Sequence, residues 1–357
     1  LTGMATNSTI RASRPMITID GQDDQSLSEG LLNMIIAENV NGLYRCEAVF
    51  GNWGSVNQSV GYLYFDRSLL EFGKEFKIKL DADILFAGRI TGLEAHYRKG
   101  GLRELTVLAE DRFQDLRMTR RTRTFESATD ADVVRQIAGD HGLTADVDMM
   151  GPTHTVLAQV NQSDLAFLRE RARAVDAELW MEGATLHAKA RTSRNSGVLQ
   201  MTYGENLHEF SVLADLAGQC TGMIVSGWDV AGKEAISYEA NDSVVSSELQ
   251  GGISGASILS SAFGDRKEAV VHTVPHTSQE AQAEAEALFR LIARRFVVGR
   301  GVGDVDPGLR VGASVDLKQL GHLFDGKYYL SEVKHLFDGL RGIRTQFTGE
   351  RPGLGQV

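Results

Sequence analysis

Serine and glycine crowd at 251–257 (GGISGAS), the text nearest to a nucleophile elbow. A Gly-x-Ser-x-Gly corner lifts the serine Oγ out of a strand-to-helix turn for acyl transfer. Here the spacing differs, and the surroundings read as a loop. Glycines recur in VVGRGVGD (297–304). A phosphate loop opens a helix, whose first N–H groups hold the anion. These glycines follow a helical pattern instead, and read as a helix stop and a flexible turn. His272 and His276 are metal-ligand types within VHTVPH. In a straight strand an offset of four leaves them roughly 13 Å apart, too far for one ion. Asp81/Asp83, Asp146/Asp148 and Asp304/Asp306 are close carboxylate pairs. Acid–base work needs a neighbour that raises one pKa, and none is evident, so they read as solvated turn or strand residues. The carboxylates of a glycosidase come from distant positions, so a tail-associated cell-wall hydrolase or glycan-binding protein is the alternative function. Cys46 and Cys220, 174 positions apart, form neither a disulfide framework nor a cysteine zinc cluster. The expectation is a protein with no catalytic, cofactor-binding or metal residues.

The densest charge feature is basic: Arg117, Arg120, Arg121 and Arg123. It stands in an acidic chain of 37 basic and 47 acidic residues, net charge −10. Three roles fit these arginines: a subunit interface with an acidic neighbour, a lumen through which nucleic acid passes, or a solvated linker. No aromatics interleave with them, which argues against base stacking. The acidic balance argues against wholesale coating of nucleic acid, and no specific nucleic-acid binding is expected. No apolar run reaches the roughly 18 residues of a membrane span. The first residues, LTGMATNSTIRASRP, are polar and lack a signal-peptide core. The expectation is a protein folded in the cytosol with no membrane partner.

Five prolines against 38 glycines in 357 residues suit a β-rich chain of two or three domains. Tyr44, Cys46, Ala48 and Phe50 alternate with polar or smaller neighbours, as do Phe76, Ile78 and Leu80. That period of two predicts an antiparallel sheet or barrel with one wet face. The period changes near 125. Ser127 or Thr129 can cap a helix carrying Val133, Val134 and Ile137, which His141-Gly142 ends. A second helix starts near Ser163 with Leu165, Leu168, Ala172 and Val175 on one face. A hairpin around Glu182-Gly183 follows. Strand texture returns near 198, and Asn241 to Ser261 reads as a long loop. Thr277 and Glu280 suggest a capping box for a third helix, with Ala281, Ala285, Leu288, Ile292 and Phe296 buried. The predicted fold is β-rich α+β. It has a β-barrel at 1–115, a small α/β domain at 116–197, and a second similar barrel at 198–357 with a helical insertion at about 277–299.

Two stretches of 41 residues, 72–112 and 311–351, repeat one set of landmarks in one order. Each begins with glycine (Gly73, Gly312) and an alternating strand. Phe-x-Gly follows (Phe86 and Gly88; Phe324 and Gly326), then a Glu and His step (Glu94, His96; Glu332, His335), then Gly-Leu-Arg (101–103; 339–341). The register slips by one residue between middle and ends. A duplicated barrel would let three chains present six similar faces.

With these landmarks, the RTRTF link (121–125), the helix TDADVVRQIAGDHGL and the segment QVNQSDLAFLRERARAVDAELWMEG (159–183), the chain resembles a known family. It is similar to the late control gene D proteins of contractile phage tails and to the hub portion of VgrG spike proteins. The resemblance covers nearly the whole chain. It implies a baseplate hub: a homotrimer whose two barrels form a pseudo-sixfold ring beneath the inner tube protein ring, with a spike opposite. VgrG-type chains continue into an OB-fold and a needle, which this sequence lacks. The spike is therefore expected to be a separate protein. Baseplate wedge proteins are the remaining expected partners. The particle, a phage tail or injection system, would be assembled in the bacterial cytoplasm.

Overall fold

The computed structural model describes residues 14–355, except 57, 195, 231 and 272. In the N-terminal part come β1 (Met16–Ile19), β2 (Gln22–Asp24), α1 (Gln25–Gly30), β3 (Leu31–Asn39) and β4 (Arg45–Gly51). They are followed by β5 (Gly54–Val56), β6 (Ser59–Gly61), β7 (Glu75–Leu80), β8 (Asp83–Tyr97) and β9 (Arg103–Glu110). Alternation sets the inward faces. Cys46, Ala48 and Phe50 of β4 and Phe76, Ile78 and Leu80 of β7 are buried, and their neighbours are not. These strands enclose one hydrophobic core.

The middle part holds α2 (Phe113–Arg117), β10 (Arg120–Thr129), α3 (Asp130–Asp140), β11 (Thr144–Asp148) and β12 (Thr153–Ser163). Next are α4 (Asp164–Ala174), β13 (Ala177–Glu182) and β14 (Thr185–Ala190). Of the two candidate caps for α3, Thr129 does the work, forming a capping box with Asp132. Val133, Val134 and Ile137 face a separate core with Leu165, Phe167 and Leu168.

The C-terminal part begins with β15 (Val198–Thr202) and β16 (Leu207–Ala214). An excursion follows: β17 (Gly222–Asp229), β18 (Glu234–Ala240), β19 (Ile253–Ser254), α5 (Gly255–Phe263), β20 (Lys267–Val270) and α6 (Ser278–Ala293). Then come β21 (Val297–Asp304), β22 (Ser314–Lys318), β23 (Gly326–Asp338), β24 (Gly342–Arg351) and β25 (Gly353–Leu354). Three readings from sequence change here. The stretch from Asn241 to Ser261 is structured, since Asn241 caps a short 3-10 turn and Ser254 caps α5. The helical insertion is larger than expected: β18, β17 and β20 form a sheet of their own, on which α6 packs around another core. The helix stops at Ala293, and VVGRGVGD is strand β21, not a turn. Its glycines make room: a Cβ at Gly299 or Gly301 would collide with the ring of Phe210 or Phe347.

One sheet, antiparallel except at its β15·β22 pair, dominates. Its order is β16-β21-β24-β23-β3-β4-β9-β8-β7-β1-β2, with β22 beside β23 and β15 beside β22. The two β regions are thus not separate bodies; β3 pairs with β23 along seven residue pairs. The order within each half is the same. β3-β4-β9-β8-β7 corresponds to β16-β21-β24-β23-β22, every pair antiparallel. The irregularities correspond too. The β3·β4 bulge between Leu31 and Asn33 matches the β16·β21 bulge between Leu207 and Glu209. The β8·β9 bulge between Ile90 and Gly92 matches that between Leu330 and Glu332. Gly73 and Gly312 both have positive φ, and their N–H groups donate to the carbonyls of Ile90 and Leu330. One extra residue lies in the β22–β23 connection relative to β7–β8, after which the bulges set Phe86 against Gly326 and Glu94 against Lys334. The Phe-x-Gly, Glu–His and Gly-Leu-Arg landmarks paired from sequence therefore do not coincide in the fold; Gly73 and Gly312 do. Bulges re-aim strands at set points, so their shared placement is a stronger likeness than alternation alone. The outermost partners differ: β1 runs antiparallel to β7, and β15 parallel to β22.

Candidate assembly interface

The arginine cluster meets the helix-opening motif of the middle part. Ser163 caps α4 by accepting from the Ala166 N–H. That turn buries the next side chain, Asp164. Its carboxylate accepts from Arg123 Nη2 at 2.9 Å and Gln159 Nε2 at 2.9 Å, and contacts His141 Nε2 at 2.8 Å. Arg121 Nε lies 3.3 Å away. Burial pushes this carboxyl up, but the His141 and Gln159 hydrogen bonds and both arginine charges hold it net below the usual carboxylate range. Arg123 also bonds Asp140 and stacks over Phe125. Arg117 pairs with Glu110 of β9, and Arg120 donates to the Asn161 carbonyl. All four therefore have partners within the chain. Arg117, Arg120 and Arg121 remain partly open to solvent.

A second charged site sits behind the β3·β23 seam. Glu38 of β3 is buried and receives Arg310 Nε at 2.7 Å, the Val311 N–H at 3.1 Å and Arg194 Nη2 at 3.5 Å. Arg194 is buried as well, stacks over Trp180, and donates to Glu178 of β13 at 3.0 Å. Tyr329 of β23 donates to the same Glu178 carboxylate. Burial opposes the Glu38 charge, yet the Arg310 charge and hydrogen bond, then Arg194 and Val311, hold its pKa below the ordinary value. One network thus ties β3, β13 and β23 together. Beside it His335 is buried and bonds Thr345 at 2.9 Å. Burial and the Arg310 charge push this imidazole down to about 4. A third cluster joins α6 to the middle part: His154 contacts Glu280 at 2.8 Å and Asp130 at 3.3 Å, and Arg171 bonds Asp130. Arg294, just past the end of α6, is buried between Asp176 and Glu248.

Several of the residues whose types suggested chemistry bond within the chain. Ser254 and Ser257 of GGISGAS both donate to Asp242. His276 precedes α6 outside any strand, and its N–H donates to Glu280; His272 lies outside the described residues. Asp146 binds His187 and Lys189, Asp304 binds His208, and Asp306 accepts from the Gly308 N–H. Among the described residues no three His, Cys, Asp or Glu side chains could hold a metal ion. No helix of these residues is long and apolar enough to cross a membrane. Glu38 and Asp164 were not singled out from sequence. The signals were an acid within the apolar run LLNMIIAEN, and one directly after a cap.

A family model described as the Alg8 N-terminal domain matches residues 15–338. The chain belongs to this family. No curated protein matches it. Among solved structures, this Alg8 N-terminal domain chain is similar to the 43 kDa tail protein of prophage MuSo2 from Shewanella oneidensis. The TM-score is 0.70 at 11% identity, over 95% of this chain and 98% of that one. A tail protein from Neisseria meningitidis MC58 gives 0.69 at 13%, over 96% and 97%. An E. coli component of the type VI secretion system, described as structurally similar to T4 tail proteins gp27 and gp5, gives 0.55 at 12%, over 98% and 79%. At such identities the likeness is one of fold. The Alg8 N-terminal domain chain has the β-rich fold found in phage tail and type VI secretion proteins.

Proposed function

We propose that this chain is the structural hub of a contractile phage tail or injection system. Three copies form a ring that joins a sixfold inner tube to a threefold spike. Its role is geometric and not enzymatic. The observation that supports this most is the recurrence of one strand order, with its bulges, in two halves of one chain. A trimer of such chains offers six near-equivalent half-sheets, so each subunit of a sixfold tube meets similar contacts. The likeness to tail proteins supports the same reading.

In this reading 1–115 and 198–357 are the two hub barrels and 116–197 is the α/β domain between them. The tube ring, a spike protein and wedge proteins are the partners. Arg117, Arg120 and Arg121 lie at a subunit contact or the lumen, with Arg123 bracing them from within. Assembly takes place in the bacterial cytoplasm, and the product is part of the particle. Sedimentation and negative-stain imaging of the purified chain test this. A trimeric ring with six lobes is expected. A monomer persisting at tens of micromolar, with no ring on adding tube protein, would overturn it.

A further inference from the structure

The internal seam leaves two free edges whose counterparts are already paired. β23 pairs with β22 through its first residues and with β3 through 332–338. Its counterpart β8 pairs with β7 only through 83–89, and residues 92–97 have no strand partner on that side among the described residues. β16, the counterpart of β3, ends the sheet with its outer edge likewise unpartnered. We infer that a second copy of this chain lays its β16 along the free edge of β8, repeating the β3·β23 seam between subunits. This rests on the ring reading above and adds its contact and register.

Shared bulges allow residue-by-residue transfer. Asp338↔Asn33, Phe337↔Met34, His335↔Ile36, Lys334↔Ala37 and Val333↔Glu38 in the seam become Arg98↔Glu209, Tyr97↔Phe210, Ala95↔Val212, Glu94↔Leu213 and Leu93↔Ala214. The chemistry of the transferred pairs is complementary. One face sets Leu93, Ala95 and Tyr97 against Ala214, Val212 and Phe210, all apolar, while Arg98 meets Glu209. Exposure agrees with a missing partner. Phe337 is 5% exposed beside β3, and its counterpart Tyr97 is 63% exposed. Ala37 is 8% exposed and its counterpart Leu213 is 63% exposed. Unpaired N–H and C=O groups along both edges are templates for strand addition. Each internal seam followed by one such contact carries the sheet from chain to chain until the ring closes.

Paired cysteines in the full chain read the register. Glu94→Cys with Leu213→Cys, and Ala95→Cys with Val212→Cys, cover the two kinds of facing pair in an antiparallel ladder. Native Cys46 and Cys220 are buried and do not interfere. Oxidation is expected to give covalently closed oligomers from at least one of these variants. The slipped pair, Glu94→Cys with Val212→Cys, should give far less. Arg98→Glu should weaken association about fivefold, and adding Glu209→Arg should restore it. Trimers that cross-link at another register, within one chain, or between two β8 edges would overturn the inference and leave the hub reading standing. A chain that stays monomeric by sedimentation and forms no cross-link would overturn both.

Discussion

Asp164 and Glu38 are carboxylates buried among arginines. Such sites are costly to break, because removing one partner strands the others away from water. Asp164→Asn should cost about 3 kcal/mol of stability, read as a lowered urea midpoint. Both carboxyls titrate below their unfolded values, so their contribution is full above about pH 4.3 and is lost as pH falls through the folded pKa. His335 acts in a different window. Its folded pKa is about 4, against roughly 6.5 unfolded, so the unfolded chain takes the proton first. Native stability should fall by up to about 3 kcal/mol between pH 6.5 and 4 from this group. His335→Gln should flatten stability over that interval, whatever its effect at pH 8. An unchanged slope would contradict a buried neutral imidazole.

Elements differ in what holds them. α3 depends on its Thr129–Asp132 box, and Thr129→Ala should cost about 1 kcal/mol by denaturant titration. β21 depends on absent side chains. Gly301 lies under Phe347, so Gly301→Ala inserts a methyl group into filled space and should cost about 1–3 kcal/mol. A neutral result would mean that the aromatic layer can slide. The two helices of the middle part and its β13–β14 hairpin were legible in their periodicity, caps and turn; the β10·β12 pair was not. β21 was not. Gly-rich text reads as a turn until the aromatics that cover it, Phe210 and Phe347, are known to be neighbours.

Across the whole molecule, the seam and the Glu38 network bind halves whose partners lie as far apart in sequence as Glu38 and Arg310. Unfolding should therefore be one transition by calorimetry. Glu38→Gln should lower its midpoint and separate the halves into two transitions. A single transition at an unchanged midpoint would show that β3·β23 pairing alone couples them.

Alternation and caps are local, so the sequence by itself determined the β-rich class, the two middle helices and a general likeness of 72–112 to 311–351, while the residue register of that likeness came only from the shared bulges. It could not reveal that the two β regions share one sheet. A strand pattern records which face is buried and not which edge is paired. It could not reveal the ion networks either, because Arg310 and Arg194 reach Glu38, and Arg123 reaches Asp164, only once distant strands are laid side by side. Edge pairing and charge burial are properties of the assembled sheet, and only the tertiary structure decided them.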